Sequence, residues 1–277
     1  MACGEKPMKT REARGNWIIV LLLILIAAIV GYLLFTGSET PDPPHVANNE
    51  PVTPPELSQP IQAPPAEPEP PQALNPIEPL PTDEPLPELS DSDEPFHLAL
   101  GEVTGRVGLT QLLSEELIHH IVVTVDNLPR KHLPARTVPL KRAEGVFIVN
   151  DKDDSLVIGA GNGKRYALHV AAAKSINSTQ LVDLYRRYYP LFQNAYQELG
   201  YPQAHFNDRL VVAIDDLLAA PEPTPPVRLT QPKILFEYAN PRLEERSAGQ
   251  KIMIRIGQEN ADILRKKLAE IRALIAQ

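Results

Sequence analysis

The chain has 277 residues, with 27 Lys and Arg against 35 Asp and Glu, a formal net charge of −8, 30 prolines and a single cysteine. One cysteine excludes an internal disulfide, so a folded part must be held by packing alone. The charge is lopsided: thirteen acidic residues and no Lys or Arg lie between Ser38 and Glu94, whereas Phe96 to Gln277 carries 23 Lys and Arg against 20 Asp and Glu, a balance of +3. No basic field points to a nucleic-acid partner.

In chain order, residues 1–16 carry Lys6, Lys9, Arg11 and Arg14, and Cys3 reads as an incidental thiol, on the wrong side of the apolar run for a cleaved lipoprotein signal. Trp17 to Phe35 follows without a charge. As a helix it reaches about 28 Å, the thickness of a bilayer's hydrocarbon core. Trp17 and Tyr32 suit the interfaces,. The basic flank precedes the segment and Glu39 and Asp42 follow it, so residues 1–16 are expected in the cytoplasm and the remainder across the membrane,. A cleaved signal peptide fits less well, because the run is long and no A-x-A follows it. Ala27 and Gly31 form one small-xxx-small pair,.

Eighteen of the 30 prolines fall between Pro41 and Pro95. Proline removes backbone donors and the like charges repel, so residues 36–95 are expected to form a disordered acidic stalk. It reads as a spacer, and secondarily as a ligand for proline-reading modules through Pro51-Val52-Thr53-Pro54 or Pro68-Glu69-Pro70-Pro71,.

The folded part is expected over 96–277. Leu109, Leu112, Leu113, Leu117, Ile118, Ile121, Val122 and Val125 recur at helical steps and should form one amphipathic helix ending near Asp126-Asn127, before Pro129,. Arg130 to Arg142 reads as an irregular basic connection. Val146–Val149 and Leu156–Ile158 bracket a polar turn and predict a hairpin. A long helix over Thr179–Leu199, capped by Asn177 or Ser178 and containing Pro190, precedes a helix from Asn207 to about Ala219,. Pro221–Pro232 reads as extended, and Ile234, Phe236 and Tyr238 as a short strand. Asn240-Pro241 opens a helix ending by Gly257. A last helix to Ile275 buries Ala261, Leu264, Leu268 and Ile271, with Arg265, Lys266 and Lys267 outside. The fold class expected is mostly α: a transmembrane helix, a disordered linker and an orthogonal helical bundle with a minor β element.

Four blocks carry a resemblance: Thr124-Val125-Asp126-Asn127-Leu128-Pro129-Arg130, the run Tyr189 to Pro202, Phe206-Asn207-Asp208-Arg209-Leu210, and Ser247-Ala248-Gly249-Gln250-Lys251. In this order they resemble a bacterial family of envelope proteins known only as a domain of unknown function, over roughly Leu109 to Ile275. The resemblance implies one membrane helix, a proline-rich spacer and a place in the inner membrane and periplasm of a Gram-negative bacterium. It brings no activity and no catalytic residue.

Chemistry-bearing patterns are thin. Gly159-Ala160-Gly161-Asn162-Gly163-Lys164 departs from a phosphate loop, with Ile158 where the first glycine belongs and Arg165 after the lysine,. Asp151, Asp153 and Asp154 lack the glycine and glutamate of a calcium loop,. His119 and His120 are adjacent, so on a helix their side chains diverge by about 100° and suit a shared metal poorly. Asp208, Asp215 and Asp216 offer carboxylates for glycan hydrolysis, with a helix-terminal and solvated role as the simpler account. No G-x-S-x-G occurs,. No catalytic, metal or cofactor residue is assigned.

The polar groups that resist a packing account are Asp126, Asn127 and Arg130; Arg186 and Arg187; and Asn207, Asp208 and Arg209. Two readings fit them. They cap helices and pair locally, or they converge with Tyr189 and Tyr201 on a binding face, where arginine and aromatic side chains concentrate binding energy. The function expected is a membrane-tethered interaction or scaffold module, with the bilayer as partner through 17–35 and another envelope protein or the cell wall beyond it. The competing class is a cell-wall-acting enzyme held out by the stalk. A ligand sensor is disfavoured by the short cytoplasmic segment.

Overall fold

The computed structural model describes residues 72–276, apart from 83–84, 110–114, 140–142, 144, 153 and 175–176. The expected cytoplasmic segment, membrane helix and first part of the stalk lie outside the described residues. Among those described, no helix is long and apolar enough to cross a membrane. The described part is mostly helical with a small antiparallel sheet.

Nine α-helices are present among the described residues: α1 Asp93–Leu109, α2 Leu117–Asn127, α3 Asn162–Arg165, α4 Ala167–Lys174, α5 Ser178–Glu198, α6 Phe206–Leu218, α7 Pro241–Glu244, α8 Ala248–Arg255 and α9 Gln258–Ile275. α5 is the central beam. The Asn177 side chain accepts from the Thr179 and Gln180 amides and starts it as expected,. Its buried stripe of Leu181, Leu184, Tyr185, Tyr188, Phe192, Ala195 and Tyr196 faces α1, α2 and α9. Phe96, Tyr185, Phe192, Tyr196 and Phe206 form one aromatic cluster, with Phe192 stacked on Phe206 at 5.6 Å. Each such buried ring contributes on the order of 2 kcal/mol of apolar transfer. α9 packs on α4, α5 and α6 and buries Ala261, Leu264, Leu268, Ile271 and Ile275. Lys267, expected outside, is buried instead: its ammonium is neutralised by Glu270 at 2.6 Å and held by Ser178.

The sheet has strand order β1-β2-β3-β4, with β1 Val149–Lys152, β2 Ser155–Ile158, β3 Arg228–Thr230 and β4 Glu237–Tyr238. The expected hairpin is β1–β2, in the register Asn150↔Val157. Its turn is shorter than expected and closes at Asp154, whose φ of 56° an aspartate tolerates,. β3 was hidden within the proline-rich 221–232 stretch. A second small core of Leu229, Tyr238 and Ile254 joins the sheet to α8, where the Tyr238 hydroxyl donates to the Lys251 carbonyl.

Several expectations are corrected. The helix expected from Leu109 begins at Leu117. Glu116, with φ 49°, breaks the path, and the Asp93 carboxylate accepts the Glu116 and Leu117 amides as the start of α2. α1 is a separate helix that already starts within the expected stalk. The helix from Asn240-Pro241 is two helices, because Ser247 accepts the Gln250 amide and starts α8 anew. Asn207 is not a cap. α6 starts one residue earlier, and Asn207 is fully buried inside it.

The stalk also ends sooner. The described residues between 72 and 92, expected as disordered stalk, lie on the helical body, with Ile77, Leu86 and Leu89 packed against the main core. A chain with unpaired backbone groups pairs well with a surface that offers complementary ones.

Candidate functional site

The polar groups singled out from sequence separate into two assemblies that meet at the start of α6. The first is a joint centred on Asp126, whose side chain is 5% exposed. Arg209 donates Nε to Oδ1 at 2.9 Å, and Arg130 donates to Oδ2 at 2.7 Å. Both guanidinium groups also donate to the Asp126 carbonyl. Arg130 reaches the Tyr201 hydroxyl at 2.6 Å, and Tyr201 stacks on Tyr196 at 4.7 Å. The Tyr201 hydroxyl first, and the Asp126 charge with it, push the Arg130 guanidinium further above its already high range. Burial raises the Tyr196 hydroxyl.

This joint holds together the four blocks of the resemblance. The Leu128 and Arg130 carbonyls accept the Gly249 and Ala248 amides at 2.9 and 2.7 Å. Gly249 has no room for a side chain, since a Cβ would stand 2.7 Å from Leu217 and 3.2 Å from the Leu128 carbonyl. Ser247 and Gln250 donate to Asp216, whose carboxyl is raised chiefly by burial. Gln193 accepts the Phe206 amide and the Tyr189 hydroxyl and donates to the Ala204 carbonyl, closing the turn between α5 and α6.

The second assembly holds residues 74–80, a strap across α5 and the start of α6 that bends at Leu74 and Asn75. Asp208 accepts the Leu74 amide at 3.0 Å and the Asn75 amide at 2.6 Å, and also the Asn75 side-chain amide. Asn207 donates to the Asn75 carbonyl at 2.8 Å and to the Ile275 carbonyl at 2.9 Å, while accepting from the Tyr185 hydroxyl. The Arg186 guanidinium donates to the Glu78 carbonyl at 2.9 Å. Pro190 has no N–H, which leaves the Arg186 carbonyl without its helical donor. The Leu80 amide fills that place at 3.3 Å.

Asp126, Arg130, Tyr201 and Arg209 thus come together, as do Arg186, Asn207 and Asp208. Tyr189 lies behind them on Gln193. Two predicted residues join neither group: Asn127 donates to the Val123 carbonyl, and the Arg187 guanidinium lies over the Tyr188 ring. Asn75, Gln193, Asp216, Ser247 and Gln250 were not assigned binding roles. A carboxylate or amide looks solvated in sequence unless its distant partner is known. The three candidate hydrolytic carboxylates also part company: Asp208 holds the strap, Asp215 pairs with Arg272, and Asp216 holds the start of α8.

An open cleft of about 790 Å³ lies elsewhere, between β2, the 221–227 segment and the start of α9. Glu222 and Glu259 are the carboxylates of its lining, and Glu222 is engaged by Arg265 at 2.6 Å and Gln258 at 2.5 Å. The Gly159–Lys164 run forms part of its wall and continues into α3, with Asn162 buried and bonded to Ile148 and Gly159. Among the described residues, no group of three His, Cys, Asp or Glu is placed to hold a metal ion.

Residues 117–272 match the model of a family described as a protein of unknown function, DUF3014. No curated protein and no solved structure matches the chain.

Proposed function

The chain belongs to the DUF3014 family, and on that premise we propose that it is a single-pass envelope protein, anchored through residues 17–35, whose C-terminal domain serves as an interaction module on the far side of the bacterial inner membrane. One observation carries the interaction reading: the polar residues at the start of α6 bind a distant segment through its own backbone groups, so the surface is built for recognition rather than for moving protons. The uncharged Trp17–Phe35 run and its basic N-terminal flank support the anchor,. The competing enzyme reading has less support, because the cleft offers no free carboxylate pair among the described residues of its lining.

Two measurements test the proposal. Alkaline phosphatase fused after Gln277 should be active, and an inactive fusion at normal expression contradicts the topology. Photoreactive residues at Val212 and Leu168, which are 48% and 74% exposed, should capture discrete envelope partners in the protein's own cells. Uniformly empty lanes at both positions contradict the interaction role.

A further inference from the structure

We infer that the groove between α5 and the start of α6 is a peptide-binding site that takes bent, proline-containing segments, with residues 74–80 of this chain as its resident ligand. The inference deepens the interaction reading and rests on it. Five strap groups engaged by the body belong to the backbone: the Leu74, Asn75 and Leu80 amides and the Asn75 and Glu78 carbonyls. Recognition of this kind reads the path of the backbone and is tolerant of most side chains.

The residues that are read fit the same picture. Burial alternates along the strap, with Asn75 and Ile77 turned partly inward and Leu74, Pro76 and Glu78 outward. Leu74 is 81% exposed, so its side chain contributes little. Pro76 matters through its predecessor, because a residue before proline is held in the extended region. The bend at Leu74 and Asn75 brings both amides to the one Asp208 carboxylate, while the Asn75 carbonyl meets Asn207. The ligand class is therefore a peptide that bends at an asparagine before a proline, with an apolar residue two places after the asparagine.

Part of the groove is fixed without the strap. Asn207 is anchored by Tyr185 and Ile275, and the Arg186 carbonyl is left open by Pro190 within α5. A tethered segment competes at an effective concentration on the order of millimolar, so a free peptide enters only when the strap is released. The occupant we assign in trans is such a segment on a partner protein.

The test uses the full chain in detergent and a fluorescent peptide with the sequence of Gln72–Leu80. Asn75→Asp sets a carboxylate against Asp208 and should release the strap while leaving the groove intact. A second opened form, with residues 74–80 replaced by glycine and serine, covers the case in which the first strap stays docked. The peptide should bind an opened chain at least tenfold more tightly than wild type. Adding Asp208→Ala should cost at least tenfold, and a peptide carrying Asn75→Asp should bind at least tenfold more weakly. Equal binding to wild-type and opened chains, binding indifferent to Asp208→Ala, or no binding to the glycine-serine form overturns the proposal. Concentration-dependent dimers of wild type that exchange straps would also overturn it, since the trans occupant would then be a second copy. A failed peptide with successful crosslinking from Val212 or Leu168 would leave the interaction module standing and remove only this groove from it.

Discussion

Asn207, Asp208 and Arg209 are consecutive, yet they serve two regions built in opposite ways. Arg209 turns to the Asp126 joint, where two guanidinium groups hold one buried carboxylate and the carbonyl of the same residue. Asn207 and Asp208 turn to the strap groove, where side chains meet the backbone of a distant segment. The helical advance of about 100° per residue is enough to divide them. The contrast teaches that residue type does not separate a structural joint from a recognition surface. What separates them is the partner: the joint closes on a buried charge within the helical body, whereas the groove holds mostly the backbone of a distant segment.

The comparison breaks first at the joint. Arg209→Ala leaves the buried Asp126 carboxylate short of one of its two cations. It should cost about 3 kcal/mol, or roughly 6–12 °C in Tm, while the strap stays docked. A Tm within 2 °C of wild type would make the joint as replaceable as the groove. Gly249→Ala, which forces a methyl group toward Leu217 and the Leu128 carbonyl, should cost about 2 kcal/mol by overpacking, read by chemical denaturation. Asp208→Ala should cost only about 1 kcal/mol, because the strap's amides regain water when they leave.

The smallest effect comes from outside both regions and serves as a control. His169 is buried, with neither ring nitrogen hydrogen-bonded among the described residues, and burial lowers its pKa below the ordinary 6.5. The unfolded chain therefore takes up the proton first, and wild-type stability should fall as pH drops below about 6.5. His169→Leu should match wild type within about 0.5 kcal/mol at pH 8 and lose less stability at pH 5. Parallel pH profiles for the two proteins would contradict this.

The sequence made some of this legible and hid the rest for physical reasons. The long helix with its Asn177 start, the final helix and the first hairpin follow from local periodicity and turn chemistry, and they are present. Asn207 misled because asparagine favours helix starts, but distant carbonyls at Asn75 and Ile275 outbid its own backbone. The proline-rich tract read as a disordered stalk and concealed its docking, since nothing local marks Asp208 as the acceptor for amides more than a hundred residues away. Pro190 was legible as a proline inside the long helix. Its use, an open carbonyl for Leu80, appears only once the strap is in place.

The most direct measurement is native-state hydrogen exchange on the full chain, comparing wild type with Asp208→Ala. In wild type, the Leu74, Asn75 and Leu80 amides should be protected. In Asp208→Ala, the Leu74 and Asn75 amides should exchange at the rate of an unstructured peptide while the amides of α5 and α6 stay protected. If all three strap amides exchange freely in wild type, the groove holds no ligand and the account of the second region is wrong.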